Sequence, residues 1–497
     1  MASFLIGIDQ GTSGSRALII DLAGQIQGYA HLPLARLYPQ PDRVEQDPET
    51  VAEGVEQAIT AALQQAGLTH GDILACGLAC QRNSDFVWDS ATGRPLANAI
   101  TWQDLRTLPL LRELEQWPLF SEARWRLGYP PAPYMSALHL AWRMVHEPAV
   151  KAAAAHGRLR IGQSAAWLIQ RLGEPDGHVM DRSLVQATGL YDIQNGRYWS
   201  DWCERLDIPL AALPQPVPTL HQFGYLRLGG HHIPVLATIG DQQAALFGHG
   251  GWRPGDLEIT HGTGSYVKLF LGQTPTAPET VDLLYAWDLG QGQTYCLEAQ
   301  TTVSGAALRW LRDELSLFTQ YSDIDSLARS VTDSGGVTFV PAFTGLNVPY
   351  NNRQARATLL GLTLGTGRGH IMRAFLEALG FQVRAILRAV QAATDLPGQE
   401  ILVGGGITAS DVACQLQADL TGLPVKRPSF TETGAYGAAL LAGLGAGCWR
   451  SLDELPPRPG SFTLFEPRST AAERDTAFVH WQRAVKLVEE YAVISSQ

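Results

Sequence analysis

The stretch Ile8-Asp9-Gln10-Gly11-Thr12-Ser13-Gly14-Ser15 has an echo at Ile259-Thr260-His261-Gly262-Thr263-Gly264-Ser265. Each copy follows a short apolar run and precedes another, residues 17–20 in the first case and 267–271 in the second. Each therefore reads as a β-hairpin closed by a Gly/Thr/Ser turn. The two turns stand half of the 497-residue chain apart, which predicts two related halves, each opening on a hairpin. Length points the same way, because a single core rarely grows past roughly 250 to 300 residues. A cluster of turn formers at residues 248–255 supplies a boundary, so the expected domains are 1–249 and 250–497.

Strand and helix signals alternate along most of the chain, the pattern of an α/β architecture with largely parallel pairing. One helix is legible residue by residue: Asp47 as N-cap, Pro48 at the first helical position, an apolar stripe of Val51, Val55, Ile59 and Leu63, and Gly67 as the stop. A second spans about 370–391, with Ile371, Phe375, Leu379, Ile386 and Val390 on one face. Residues 436–449 are apolar but too short and glycine-rich for a membrane span, and read as a buried helix. The Pro-rich run at 456–465 reads as a surface connection before a final helix over about 472–494.

Composition excludes several classes of function. With 48 acidic against 37 basic residues, a net charge of −11 and no Lys/Arg run, the chain lacks the clustered positive charge that nucleic acid requires. Hydrophobic residues at 45% and charged ones at 17% describe a folded globular protein. Six cysteines without a C-x-x-C pair suggest neither a disulfide framework nor a zinc site, and fit a reducing compartment. Residues 1–4 lead directly into a strand-like run with no basic leader, so the expected location is the cytoplasm.

Turns rich in Gly, Thr and Ser expose backbone N–H groups and hydroxyls without side-chain bulk, which suits a closely approaching phosphate. A third glycine cluster, Gly404-Gly405-Gly406, follows the strand Ile401-Leu402-Val403 and precedes Ser410, the N-cap of a helix stopped by Gly422. Strand, glycines and helix start let a nucleotide lie flat on backbone. There is no G-x-x-x-x-G-K-[ST] and no G-x-G-x-x-G, so neither the P-loop nor the dinucleotide-binding reading has support. Asp9 ends the first strand beside the first turn, where Mg²⁺ or its water shell can bridge it to phosphates. Asp241 ends another apolar strand in Gly240-Asp241-Gln242-Gln243, and serves either as a helix N-cap or as a group that accepts a hydroxyl proton in phosphoryl transfer.

Assembled in order, these segments resemble the FGGY carbohydrate kinases, and within them the glycerol kinases. The matching stretches include Ile8-Asp9-Gln10-Gly11-Thr12, Val44-Glu45-Gln46-Asp47-Pro48, Gln81-Arg82, Asn98-Ala99-Ile100-Thr101-Trp102-Gln103, Gly240-Asp241-Gln242-Gln243, Gly262-Thr263-Gly264, Pro341-Ala342-Phe343-Thr344-Gly345 and Gly404-Gly405-Gly406. The resemblance covers essentially the whole chain. It implies two actin-like ATPase domains on ribonuclease-H-like cores, with ATP, Mg²⁺ and a small polyol or sugar meeting in the cleft between them. By the same resemblance Asp9 organises the metal, Asp241 is the catalytic base, and Thr12, Ser13, Gly262, Thr263, Gly305, Arg309, Gly405, Gly406 and Ser410 form the nucleotide site. Arg82, Asn83, Trp102, Tyr134, Asp241, Gln242 and Tyr266 then hold the acceptor. The implied partners are that small molecule and further copies of the chain, as a homodimer or homotetramer, with no nucleic acid and no membrane.

Besides Tyr266, which stands where the family usually has Phe, two positions depart from the family pattern more sharply. Glycerol kinases typically carry Arg-Glu where this chain has Arg82-Asn83, and an amide offers one acceptor oxygen where a carboxylate offers two. If the strand continued through this point, Asp85 would share a face with Asn83 and either replace the carboxylate or meet a longer polyol. His139 stands where the family signature has Lys, and is expected at the solvent or the domain interface. The leading reading is ATP-dependent phosphorylation of a terminal hydroxyl, with glycerol as acceptor. The alternatives are a kinase of the erythritol, xylulose or ribulose class, a sugar-binding pseudokinase, or an actin-like ATPase module without an acceptor.

Overall fold

The computed structural model describes residues 3–495 apart from 263, 278, 302, 395 and 397. The chain forms two compact units that are not contiguous halves. The first takes the chain as far as Gly250 and adds Leu284–Tyr295 and Glu432–Pro459, and the second takes the rest.

In the first unit the main sheet contains β1 (Phe4–Gln10), β2 (Gly14–Asp21), β3 (Ile26–Pro33), β4 (Ile73–Cys80), β5 (Gly173–Pro175), β6 (Leu220–Leu228) and β7 (His231–Gly240). Their order across the sheet is β3-β2-β1-β4-β7-β6-β5. β1 pairs antiparallel with β2 and parallel with β4, with Ile8 opposite Ala17 on one side and Leu78 on the other. β4 is parallel to β7, which turns back antiparallel into β6. Three helices matter for the site: α1 (Pro48–Ala66), α2 (Ser136–His146) and α3 (Asp241–Gly248). α1 has the anatomy its sequence requires. Asp47 accepts from the Thr50 N–H at 3.1 Å, the expected stripe is buried, and Gly67 closes the helix at φ 66°.

The second sheet contains β8 (Leu257–His261), β9 (Ser265–Gly272), β10 (Asp282–Asp288), β11 (Gln293–Thr301), β12 (Ile401–Gly404), β13 (Val425–Pro428) and β14 (Phe462–Phe465), in the order β10-β11-β9-β8-β12-β13-β14. β8 pairs antiparallel with β9 and parallel with β12; β13 follows in parallel and β14 antiparallel. This is the succession found around β1, so the echo read in two turns extends to the pairing of two sheets. The connection expected over 456–465 therefore ends in a strand, because β14 supplies the edge that β13 lacks. The later helices are α4 (Gly305–Asp313), α5 (Arg368–Thr394), α6 (Asp411–Thr421), α7 (Thr433–Gly445) and α8 (Ala471–Ser495). Phe375 and Met372 of α5 pack with Leu308 and Leu311 of α4 in one buried cluster.

α7 explains why the units are interleaved in sequence. It is the buried helix expected near 436–449, and it packs in the first unit. A Cβ at Gly7 of β1 would lie 1.8 Å from the Ala435 carbonyl oxygen, and one at Gly77 of β4 would lie 2.0 Å from that of Ala438. Gly248 of α3 and Gly437 of α7 approach each other's helices in the same way, at 2.1 Å from Thr433 O and Ala244 O. Only glycine permits backbone contacts this close, and the alanine and glycine face of α7 has no bulk to prevent them.

Candidate active site

In the first unit the expected chemistry gathers at the C-terminal ends of β1, β4 and β7. The turn after β1 is closed by the Gly11 N–H donating to Gly14 O at 3.0 Å. Gln46 holds its middle by donating to Thr12 O at 2.9 Å, and the Trp102 indole donates to the Thr12 hydroxyl at 2.7 Å. Ser13 is exposed on the same turn. Asp9 lies partly buried behind it, its Oδ2 3.4 Å from Arg16 Nη1, while Arg16 Nε also pairs with Glu432 at 3.0 Å. Burial pushes the Asp9 carboxyl up to about 7, Arg16 opposes this, and the carboxylates of Asp241 and Glu432 add to the rise.

Asp241 opens α3 at its first helical position, with Gly240 as the cap residue, so it is not a simple N-cap. Its Oδ1 accepts the Gln242 N–H at 2.8 Å and faces Arg82 Nε at 3.6 Å. Sequence reasoning missed the start of α7. Gly434 sits against Asp9, since a Cβ there would lie 3.2 Å from its Oδ2 and 3.9 Å from the Asp241 carbonyl oxygen. The Thr433-Gly434 step opening a small-residue helix was the signal available in the sequence.

Arg82 and Asn83 lie in a bend after β4 ends at Cys80. Asn83 takes a left-handed conformation, φ 56°, which asparagine tolerates better than most residues. Its Oδ1 is buried without a hydrogen-bond partner, as is Oε1 of Gln242. The bend overturns the expectation that Asp85 shares a strand face with Asn83. Asp85 is fully buried, and its carboxylate is committed to His139 Nδ1 at 2.9 Å and Arg143 Nε at 2.6 Å. His139 is likewise fully buried, not at a solvent surface, and pairs with the Asp85 carboxylate. Tyr134 is partly buried, two residues ahead of α2.

The second unit holds a cavity of about 700 Å³, within the range of small-ligand sites. Gly262, Gly305, Arg309, Gly406 and Ser410 all line it. The Gly262 N–H donates to Gly264 O at 2.9 Å, and the Gly305 N–H opening α4 donates to Gly262 O at 3.0 Å, which ties the turn to that helix. A Cβ at Gly406 would meet nothing within 4 Å, so this glycine keeps a surface open. Gly405 is different: its φ is 91° and a Cβ would lie 2.2 Å from His261 O. Ser410 caps α6 by accepting from the Ala413 N–H at 3.0 Å. Asp325, which also lines the cavity, accepts from the Ser410 hydroxyl and from the Asp411 N–H at 3.1 Å. Nothing local in the sequence marks Asp325, since only folding brings it to Ser410. Tyr266 lies in this unit on β9, opposite Thr260. Thr263 lies outside the described residues.

Among the described residues no group of three or more His, Cys, Asp or Glu is arranged to hold a metal ion, and no helix is long and apolar enough to cross a membrane.

Two mixed sheets of matching succession, each with a glycine turn at its first hairpin, define an α/β protein with the actin-like ATPase fold in two domains. Residues 4–248 match the FGGY family of carbohydrate kinases, N-terminal domain, and residues 257–446 match its C-terminal domain. The chain belongs to this family of carbohydrate kinases. It is 40% identical to a glycerol kinase of Methylibium petroleiphilum, covering 97% of this chain and 99% of the relative. It is 38% identical to one of Symbiobacterium thermophilum, covering 98% and 99%. The crystal structure of Plasmodium falciparum glycerol kinase with ADP superposes with a TM-score of 0.91 at 25% identity, covering 98% of each chain.

Proposed function

We propose that the chain transfers the γ-phosphoryl group of ATP to a terminal hydroxyl of a small polyol, converting glycerol to glycerol 3-phosphate in the cytoplasm. The observation that carries this reading is the Arg82–Asp241 pair at 3.6 Å, at the mouth of α3 and electrostatically coupled to Asp9. In this reading the first unit supplies the base and most of the acceptor site, and the second unit supplies most of the nucleotide site.

Asp241 takes the proton of the terminal hydroxyl as its oxygen attacks the γ-phosphorus and the bond to the β-phosphate oxygen breaks, releasing ADP. Arg82 donates to a neighbouring hydroxyl oxygen, Asn83 Oδ1 and Gln242 Oε1 accept from hydroxyls, and Trp102 and Tyr134 cover the C–H face of the acceptor, with Tyr266 the one acceptor residue proposed from the second unit. The two unpartnered side-chain oxygens suit such a ligand, since buried polar atoms are rarely left unsatisfied. The nucleotide takes the cavity of the second unit, where Gly262 and Thr263 meet phosphates and Gly305, Arg309, Gly405, Gly406 and Ser410 meet the nucleoside; Thr12 and Ser13 are the phosphate ligands proposed for the turn of the first unit. The open surface over Gly406 fits a flat base.

Asp9 fits Mg²⁺. It stands at the C-terminal end of β1 beside the glycine turn, only partly buried, and Mg²⁺ is commonly held by one or two carboxylates plus substrate phosphates. When bound, the ion neutralises charge on the transferring phosphoryl group.

A coupled ADP-release assay across glycerol, erythritol, threitol, xylitol, xylulose, ribulose and gluconate tests the assignment. The expected result is highest kcat/KM on glycerol. Preference for a four- or five-carbon acceptor would move the assignment to that class and trace to Asn83, and no stimulation by any acceptor would overturn the kinase reading.

A further inference from the structure

Beneath the acceptor residues lies a buried charged cluster that the chemistry above does not use. His139 and Arg143 stand one turn apart on α2, both fully buried, and converge on the fully buried Asp85. His139 Nδ1 lies 2.9 Å from Asp85 Oδ1, and Arg143 Nε donates to Oδ2 at 2.6 Å. The rest of the guanidinium is also committed. Nη1 reaches both Glu147 oxygens at 2.9 and 2.7 Å, and Nη2 donates to the Asn98 carbonyl at 2.6 Å. The Asp85 N–H donates to Ile100 O at 3.1 Å, and the preceding Ser84 N–H to Gln163 Oε1 at 3.1 Å.

These bonds join three separate segments. The bend at Arg82 and Asn83 ends two residues before Asp85. Asn98 and Ile100 lead into Trp102. Tyr134 stands two residues ahead of the helix that carries His139 and Arg143. Buried ion pairs are weak sources of stability, because desolvation offsets most of their attraction and apolar replacements often do as well. What such a cluster provides is geometry: every hydrogen bond specifies a direction, and the left-handed bend at Asn83 has its C-terminal side fixed by them.

We propose that Asp85, His139 and Arg143 are positioning residues that set the relative placement of the Arg82–Asn83 bend, the Trp102 segment and Tyr134, and thereby acceptor affinity, without touching the acceptor. This rests on the reading that those segments bind the acceptor.

The test is steady-state kinetics on the full-length enzyme with glycerol and ATP varied separately, together with thermal melting. Asp85→Asn keeps the volume but removes the charge that both partners share. Misplacement of binding groups by about 1 Å can cost up to about a hundredfold, so the acceptor KM is expected to rise about tenfold or more, with the ATP KM within about twofold. His139→Asn, whose amide can donate in place of Nδ1, should restore near-normal acceptor KM, whereas His139→Leu should raise it. A lowered melting temperature with both KM values unchanged in Asp85→Asn and His139→Leu would show a merely structural cluster and overturn the inference. If Asp85→Asn does not fold, the two His139 variants decide. Wild-type enzyme inactive on every polyol and sugar tested would instead sink the acceptor reading, and this inference with it.

Discussion

The two units carry the same hairpin turn and surround it differently. Around Gly11 in the first unit stand Asp9, Arg16, Glu432, Arg82 and Asp241, linked as ion pairs or through their mutual electrostatics. Around Gly262 in the second unit the cavity is lined by glycines, apolar side chains, a serine helix cap and few charges, Asp325 and Arg309 among them. One repeated scaffold thus carries two different surroundings. Charge is concentrated in the first unit, where the proposed base and metal ligand stand, and an open surface with few charges is kept in the second, where the proposed nucleoside site lies. An acidic protein of net charge −11 needs no overall positive field to hold a nucleotide when backbone N–H groups and a locally bound cation can do so.

That contrast can be broken by experiment. The largest expected effect is on turnover: Asp241→Asn should lower kcat by about a thousandfold, the scale of a lost general base, with little change in the ATP KM. Normal turnover in this variant would remove the base from the first unit. Next comes Gly406→Leu, which places a side chain where the wild-type cavity is empty of atoms within 4 Å. We expect the ATP KM to rise on the order of tenfold to a hundredfold with the acceptor KM and the melting temperature unchanged. Equal loss for acceptor and nucleotide would erase the division of labour between the units.

A smaller effect is expected at the acceptor. Asn83→Glu should change the ratio of kcat/KM for glycerol to that for xylitol by about tenfold, the scale of one hydrogen-bonding partner gained or lost. An unchanged ratio would mean that position 83 does not set specificity. Part of the gain is offset by strain, since glutamate is less at ease than asparagine at φ 56°.

The smallest effect concerns pH. The Asp9 carboxyl is raised from 3.8 to about 7 in the fold, so between these values the folded protein holds a proton that the unfolded chain has released. Stability should therefore fall as pH rises from about 4 to about 7 and level off above, by on the order of 1 kcal/mol once solvent screening is allowed for. Denaturant midpoints measured from pH 4 to pH 8 should show a shallower slope in Asp9→Asn. Asp181, fully buried at a helix N-cap and also raised to about 7, leaves a residual slope in that variant.

Much of this was legible in the sequence. The capping of α1 by Asp47 and Gly67, the three glycine turns and the strand-end carboxylates are local signals, because turn and cap geometry is decided within a few residues. A local rule fails where it is extended past a break in the element. Alternation along a strand puts Asp85 beside Asn83, but β4 ends at Cys80 and the left-handed Asn83 redirects the chain beyond it. Polarity alone puts His139 at a surface. A buried polar side chain is an arrangement of partners, and its partner Asp85 lies 54 residues away in the chain.

The sequence by itself determined an α/β chain with two related hairpin turns, the family and the candidate groups, since these depend on periodicity, turn chemistry and motif order. Tertiary structure alone decided that Glu432–Pro459 returns to the first unit, that Gly434 abuts Asp9, that Asp325 joins Ser410, and that Asp85, His139 and Arg143 form one buried cluster. The physical reason is common to all four. Each depends on side chains and backbone meeting across long stretches of chain at distances below 4 Å, and no local pattern encodes which distant residue will supply the other half of a contact.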